Sequence, residues 1–243
     1  MLLRKISKHL AAQNWLAVAL DFFIVIIGVF IGLQLSNWNE ARANRASEAR
    51  YLRELSADLS ADLKEIRAGF RSTELRLAIS AKILQQAQPA YAVPVGAQGA
   101  SADLDLPERF ENRALAALVS TSFVTGQDHT FDELVQSGNL GVLSDRRLSK
   151  RLSEYYTALD SNRIGDEVIR EQLFRAIEYL AAEGLGFGEL TTVEDLTTRA
   201  RNDPQFLGQV KAINYFSLWQ RQRTTELEEK ASTTLASVEN ALR

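Results

Sequence analysis

Long apolar and amphipathic stretches run along most of the chain and predict helices. Residues 16–35 read LAVALDFFIVIIGVFIGLQL, where the polar residues apart from glycine are Asp21 and Gln34. About 20 apolar residues, at a rise of about 1.5 Å each, match the roughly 30 Å hydrocarbon layer of a bilayer. Trp15 and Trp38 bracket the run, and indole rings favour the headgroup layer. We therefore predict a transmembrane helix over 15–38 with these two tryptophans as interface anchors.

The apolar run has two other interpretations, a buried core helix and a cleaved signal peptide. A buried core helix would rarely carry a basic tail on one side and two flanking tryptophans. A cleaved signal peptide is the main competitor, because Ala41-Arg42-Ala43 has the small-x-small form of a cleavage site. The run is long for a signal peptide, however, and Trp38 and Glu40 lie just before that site. We predict an uncleaved signal anchor.

One face of the predicted span carries small and acidic residues. Gly28 and Gly32 form G-x-x-x-G, which lets two helix backbones approach closely. Asp21 falls on the same helical stripe, and an intramembrane carboxylate usually faces protein. We predict that Asp21, Gly28 and Gly32 form a contact face for a second copy or for another membrane protein. The alternative is that Asp21 lies near the cytoplasmic edge and reaches water.

The segment after the span predicts a second long stretch of helix. Residues 40–88 contain no proline and one glycine, Gly69, and their leucines recur at spacings of three and four. We expect one amphipathic helix that continues from the membrane, with two helices kinked near Gly69 as the alternative. Three of the four prolines lie in 89–107, which predicts a loop.

Several shorter helices and one long helix are predicted in the rest of the chain. The shorter ones cover 108–120, 131–137, a segment from Ser144 through Leu159, and 163–182. Capping signals at helix starts are Thr130 with Glu133, Ser144, and Thr191 with Glu194. Gly138 suits the end of helix 131–137. Asp203-Pro204 opens the last long helix, over 204–242.

These elements predict an all-α protein, since sustained β-alternation is absent from the sequence. A single N-terminal transmembrane helix continues into a long-helix stalk and helical bundle domain, in which the first and last long helices pair antiparallel. The predicted organisation is a basic amphipathic tail over 1–14, the span, and a helical soluble domain over 39–243. The tail either lies on the membrane surface as a short helix or continues the span and fixes its orientation.

Composition and charge narrow the class of protein. The chain is 46% hydrophobic and 24% charged, which fits a folded protein. Its net charge of −3 leaves no basic stripe for nucleic acid. The absence of Cys removes disulfides and thiol chemistry. Lys and Arg nearly balance on the two sides of the span, but the short basic tail with Arg4, Lys5 and Lys8 favours a cytoplasmic N-terminus and a periplasmic domain.

Two groups of residues resemble an uncharacterised bacterial protein family with one membrane helix and a helical domain. The first comprises Asn14-Trp15, Asp21-Phe22, residues 28–32, Gln34 and Asn37-Trp38-Asn39. The second comprises residues 130–134, residues 137–141 and Tyr155-Tyr156. The resemblance covers most of the chain. It implies a bacterial envelope protein, which the predicted span would place in the inner membrane, and it implies no reaction and no catalytic residue.

Candidate chemistry in the sequence is sparse. Residues 184–188 are glycine-rich but lack the Lys-Ser/Thr of a phosphate loop, which favours a helix end. Asp128-His129 with Asp132 and Glu133 form a possible metal cluster, although such residues at a helix start more often serve capping. The aromatic residues Tyr155, Tyr156, Phe216 and Trp219 either line a ligand pocket or belong to the core.

Three function classes follow from these observations. We predict a non-enzymatic envelope protein, structural or accessory, that acts through helix-mediated protein–protein contacts in and above the lipid bilayer, without a cofactor or a resident metal. The alternative is a periplasmic ligand-sensing helical bundle that signals through a membrane partner. An enzyme is the third class, and the sequence offers no catalytic motif for it.

Overall fold

The fold is all-α, as predicted. The computed structural model describes residues 15–91, 110, 112–186, 188 and 190–243, and leaves the side chains of residues 15–19 and 21 outside its description. The helices of the described residues are α1 Trp15–Ala87, α2 Ala114–Leu118, α3 His129–Gln136, a 3-10 helix Asn139–Val142, α4 Arg146–Ala182, α5 Val193–Asn202 and α6 Pro204–Ala241. In place of strands, these residues have one isolated parallel bridge, between Arg113 and Thr191.

The chain divides into two compact units, Met1–Arg50 and Tyr51–Arg243. In the described part of the first unit, the backbone is the N-terminal portion of α1. Helix α1 passes through Gly69 without a break, so the alternative of two separate helices is wrong. The predicted tail 1–14 and most of the predicted loop 89–107 lie outside the described residues.

In the second unit, α1 and α6 pack antiparallel. Arg67 Nε lies 2.8 Å from Glu228 Oε1, Arg76 Nε donates to Ser217 Oγ at 3.0 Å, and Asn214 Nδ2 donates to Ser80 Oγ at 2.9 Å. As residue numbers rise on α1, those of the α6 partners fall, which is the antiparallel pairing predicted for the two long helices. Helix α4 completes the core.

The core of this unit consists of two apolar clusters separated by polar side chains. The first cluster contains Leu55, Leu59, Leu152, Tyr155 and Leu227, among others. The second contains Ile79, Ile83, Leu173, Phe206 and Val210, among others. On α4, the buried polar residues Asn162 and Asp166 fall between the two clusters in sequence, as do Thr73 on α1 and a run of buried polar residues on α6: Asn214, Ser217, Gln220 and Thr224. The core is therefore interrupted at one level along the helix bundle.

We call Thr73, Arg76, Asp166, Ser217 and Gln220 the polar layer. Arg76 is fully buried and donates to the Ser120 backbone oxygen at 2.6 Å as well as to Gln220 Oε1. Gln220 Nε2 donates in turn to Asp166 Oδ1 at 3.1 Å. Burial lowers the pKa of Arg76 to about 10, so the guanidinium stays charged at neutral pH. Burial raises the pKa of Asp166, against hydrogen bonds from the Val124 amide and Gln220.

The polar layer explains why α4 is longer than predicted. The sequence predicted one helix through Leu159 and another over 163–182, but α4 runs unbroken from Arg146 to Ala182. Asn162 and Asp166 are buried within it and bond to each other at 3.1 Å. A Cβ at Gly165 would lie 2.6 Å from Arg223 Cζ, so the glycine makes room for a side chain of α6. Asn162, which lies in the gap predicted between the two helices, is thus a buried residue of one helix.

Local capping signals predicted the start of α6 correctly and the caps of α4 and α5 to within one residue. Asp203 caps α6 by accepting from the amides of Gln205 and Phe206, with Pro204 in the first turn, as predicted. The predicted caps at Ser144 and at Thr191 with Glu194 are each wrong by one residue. Asp145 caps α4, and Thr192 with Asp195 forms the capping box of α5. Helix α2 is shorter than the predicted 108–120.

Candidate functional site

The first candidate site is the exposed apolar surface of α1. Large apolar side chains between positions 22 and 35 are 46% to 65% exposed. By length and composition, this part of α1 is apolar enough to cross a membrane, and none of its most apolar 18-residue window is buried. The mean hydropathy of that window is 1.6. A surface of this size needs a cover, because contiguous exposed apolar patches mark sites of protein or membrane contact.

The predicted contact face lies on this surface. A Cβ built at Gly28 or at Gly32 would meet no atom within 4 Å, so the face at both glycines is open. Trp38 is 61% exposed, and the guanidinium carbon of Arg42 lies 6.0 Å from its ring centroid. The side chains of Trp15 and Asp21 lie outside the described residues. Their predicted roles, like the contact made by the glycines, stay predictions.

The second candidate site lies in the helical unit, where α3 meets α1. The predicted capping box of Thr130 and Glu133 is wrong, because both side chains bond to α1 instead. Thr130 Oγ1 donates to Asp58 Oδ2 at 2.5 Å, and Glu133 Oε1 accepts from the Tyr51 hydroxyl at 2.9 Å. Helix α3 begins after Asp128 without a side-chain cap. Two side chains with the spacing of a local helix cap thus form tertiary contacts instead.

Three carboxylates of α1, which we call the carboxylate row, hold the segment that leads into α3. Asp58, Asp62 and Glu65 are spaced four and three residues apart and so share one helix face. Glu65 accepts from the amides of Thr125 and Gly126, each at 3.0 Å. Asp62 Oδ1 accepts from the Gln127 amide at 2.7 Å. Sequence reasoning missed this row, because carboxylates at these positions of an amphipathic helix ordinarily face solvent.

The pKa values of Asp62 and Glu65 shift in opposite directions. Burial raises the pKa of Asp62 to about 6, against hydrogen bonds from Tyr155 and the Gln127 amide. At Glu65, burial acts in the same direction, but hydrogen bonds from Thr125 and Gly126 outweigh it and lower the pKa. The Tyr155 hydroxyl donates to Asp62 Oδ2 at 2.7 Å and ties the row to α4. Ionisation of Asp62 is therefore coupled to the packing of α1, α4 and the connecting segment.

The aromatic candidates belong largely to the core. Tyr155 is fully buried and Tyr156 is 5% exposed. Phe131 stacks on Tyr156 with ring centroids 4.3 Å apart and an interplanar angle of 11°. Phe216 and Trp219 meet edge to face at 6.4 Å beside the second apolar cluster. The structure thus brings together Phe131 and Tyr156, which both belong to the second group of family-like residues.

The residues of the predicted metal cluster take different partners. Asp128 forms an ion pair with Arg163 at 2.6 Å, while Glu133 faces Tyr51. Among the described residues, no group of three or more His, Asp and Glu side chains is arranged to hold a metal. In the glycine-rich stretch after α4, Gly184 has a φ of +77°, and the Leu185 amide donates to the Leu180 oxygen at 2.9 Å. This is the hydrogen bonding of a helix end.

Comparisons of the chain with protein-family models, with curated proteins and with solved structures gave no match. The resemblance to an uncharacterised bacterial family therefore stays a prediction. The two candidate sites are therefore the basis of the proposed function.

Proposed function

We propose that the chain is a single-span membrane protein, anchored by the apolar part of α1, and that its helical unit acts through contacts with other proteins. The observation that carries the proposal is the exposure of the whole apolar stretch over 22–35. A core helix of a water-soluble domain would bury such a stretch, whereas lipid covers it without any protein partner. An α-helix also satisfies its own backbone hydrogen bonds in a bilayer.

Extraction from native membranes tests the anchor. The full chain should stay in the pellet after alkaline carbonate and high-salt washes, and detergent should release it. Its intact mass distinguishes the anchor from a signal peptide, because cleavage after Ala43 would shorten the chain. Release by carbonate, or a mature protein that begins after Ala43, would remove the basis of the proposal.

The proposed action is helix-mediated contact, either between two copies or with another membrane protein. Support comes from the open face at Gly28 and Gly32, since small residues let helices approach within dispersion contact. Val25 lies on the same stripe, and the Cys-free chain allows a single Val25→Cys probe. Cross-linking through this cysteine in native membranes should give a discrete product, either a dimer or an adduct with one partner.

A matched pair of variants tests the face. Replacing Gly28 and Gly32 together with Leu fills the proposed groove and should abolish the cross-linked product. Replacing Ile26 and Phe30 with Leu alters the opposite side of the helix at the same spacing and should leave the product unchanged. Equal yields in the two double variants would leave the apolar stretch as an anchor alone.

The helical unit is proposed to face the periplasm of a bacterial inner membrane. The support is the short basic tail, which retains the N-terminus in the cytoplasm, and the family resemblance. Ala236 is exposed on α6, and an Ala236→Cys variant carries the chain's only thiol. A membrane-impermeant maleimide should label it in intact spheroplasts. Labelling that requires lysis would reverse the topology and place the partners in the cytoplasm.

A further inference from the structure

A groove between α3 and α4 has the chemistry of a cation site. It encloses about 400 Å³, and its lining includes three carboxylates, Asp128, Asp132 and Asp160, beside the stacked rings of Phe131 and Tyr156. We call it the acidic groove. All of its residues belong to the helical unit, so its existence does not depend on the membrane anchor.

Negative charge in the groove exceeds positive charge. Within the described part of the chain, the three carboxylates form ion pairs with one cation, Arg163, which lies 2.6 Å from Asp128 and 3.0 Å from Asp160. Asp132 is exposed and has no ion pair among the described residues. The groove therefore retains an unneutralised carboxylate next to two aromatic rings, which also attract cations through their faces.

A buried hydroxyl at the groove is a separate observation. Tyr156 lines the groove and is 5% exposed, yet its hydroxyl has no hydrogen-bond partner among the residues that the structure describes. Leaving such a group unpaired is costly, so an unpaired one calls for an explanation. Burial raises its pKa, as do the nearby carboxylates, which include Asp128 and Asp132 of the groove. The hydroxyl thus stays neutral in a negative field, where its oxygen can accept from a cationic donor.

The other residues that line the groove indicate which kind of molecule would fit beside the carboxylates. Val135 is 45% exposed at the groove, and Leu140 is partly buried against the first apolar cluster. With the two rings, these side chains give the groove apolar lining beside the carboxylates. A volume of about 400 Å³ falls at the small end of ligand pockets.

We propose that the acidic groove binds a small organic cation, an ammonium carried on an apolar or aromatic body. The ammonium lies against Asp132 and donates to the Tyr156 hydroxyl oxygen, and the body packs on Phe131, Val135 and Leu140. An anion is disfavoured by the excess of carboxylates, and a neutral apolar molecule would leave Asp132 and the hydroxyl unpaired. This adds a ligand to the proposed function and does not rest on it.

The test uses the full chain in neutral maltoside micelles with phenethylammonium as the probe. Biosynthetic 3-fluorotyrosine provides a resonance for Tyr156, assigned by its loss in Tyr156→Phe. The probe should shift this resonance saturably, while the uncharged analogue 2-phenylethanol at equal concentration should shift it far less. Equal shifts by both compounds, or no saturable shift with phenethylammonium, would overturn the proposal.

Two single-charge variants locate the cation. Asp132→Asn should weaken phenethylammonium binding about five- to tenfold, the loss expected for one charge-assisted contact at an exposed site. Glu178→Gln removes one negative charge from an exposed position of α4 outside the groove and should leave the affinity unchanged. Equal weakening by both variants would reduce the effect to general electrostatics and refute a site at Asp132.

Tyr156→Phe separates binding from folding. It removes a hydroxyl that has no partner among the described residues and keeps the ring that stacks on Phe131. We expect the stability of the ligand-free protein to be unchanged or higher, and the affinity, measured calorimetrically, to fall. Unchanged affinity in a folded Tyr156→Phe protein would contradict the assigned role of the hydroxyl.

Discussion

Asp62 is expected to make the protein less stable as pH rises, and Asp62→Asn should remove that dependence. The carboxyl group is fully buried and accepts from the Tyr155 hydroxyl and the Gln127 amide. Asparagine keeps the shape of the side chain and an oxygen for the Gln127 amide. Its amide N–H can donate to the Tyr155 oxygen, so the contacts persist without a charge.

The sign and size of the effect follow from the pKa. Burial raises the pKa of Asp62 from 3.8 to about 6, so the folded state holds the proton more tightly than the unfolded state. The stability gained from protonation is fully present below about pH 3.8 and is lost as pH rises through about 6. At about 1.4 kcal/mol per pKa unit, the loss between pH 4.5 and 7.5 is about 2 kcal/mol.

Urea unfolding of the full chain in neutral micelles, followed by circular dichroism at pH 4.5 and 7.5, measures this loss. The unfolding free energy of Asp62→Asn minus that of the parent protein should rise by about 2 kcal/mol from pH 4.5 to pH 7.5. The rise comes from the parent protein, which loses stability while the variant does not. Glu65→Gln is the matched control, and its difference from the parent protein should change little between these two pH values. Because the pKa of Glu65 is lowered, its stabilisation is present above the unfolded-state value of 4.5 and lost in acid. A difference for Asp62→Asn that does not change with pH would refute the reasoning.

Two further predictions concern stability and use the same unfolding assay. Gly126→Ala should cost about 3 kcal/mol, because φ is +68° and the new Cβ would lie 2.5 Å from Leu159 Cδ2. Gly138→Ala, with a φ of +70° and no atom within 4 Å, should cost about 1 kcal/mol, and equal costs would contradict the role of the close approach. Arg76→Met should cost about 3–5 kcal/mol, because it leaves buried acceptors and a buried carboxylate without their cation. Arg175→Met removes an exposed ion pair and should cost about 0.5 kcal/mol or less, so a similar cost for both would argue against the polar layer.

The positions of α1 and α6 followed from the sequence, because their signals are local and repeated. The apolar spacing after residue 40 predicted the helical course of α1 to within a residue of its end at Ala87. Asp203-Pro204 predicted the start of α6, since the cap bonds to amides two and three residues away and needs no distant partner. The apolar run over 16–35 likewise contains the large apolar side chains that are exposed between positions 22 and 35.

Polar residues whose partners are far away in sequence could be placed only by the tertiary structure. Thr130 and Glu133 have the spacing of a capping box, but Asp58 and Tyr51 take their hydrogen bonds. Such side chains can bond locally, to solvent or to another helix, and the pattern is the same in each case. Which of these hydrogen bonds forms depends on which partner lies close by in the folded protein.

The same reason explains why the sequence did not indicate the polar layer, and why it offered Asp128, Asp132 and Tyr156 as candidates without placing them in one groove. The sequence predicted a break between residues 159 and 163, but α4 is continuous there and buries Asn162, Gly165 and Asp166. In the folded unit they face Arg223, Gln220 and each other, so burial with mutual hydrogen bonds replaces exposure. Sequence periodicity determines which helix faces are apolar, whereas the identity of a buried polar partner depends on how those faces pack.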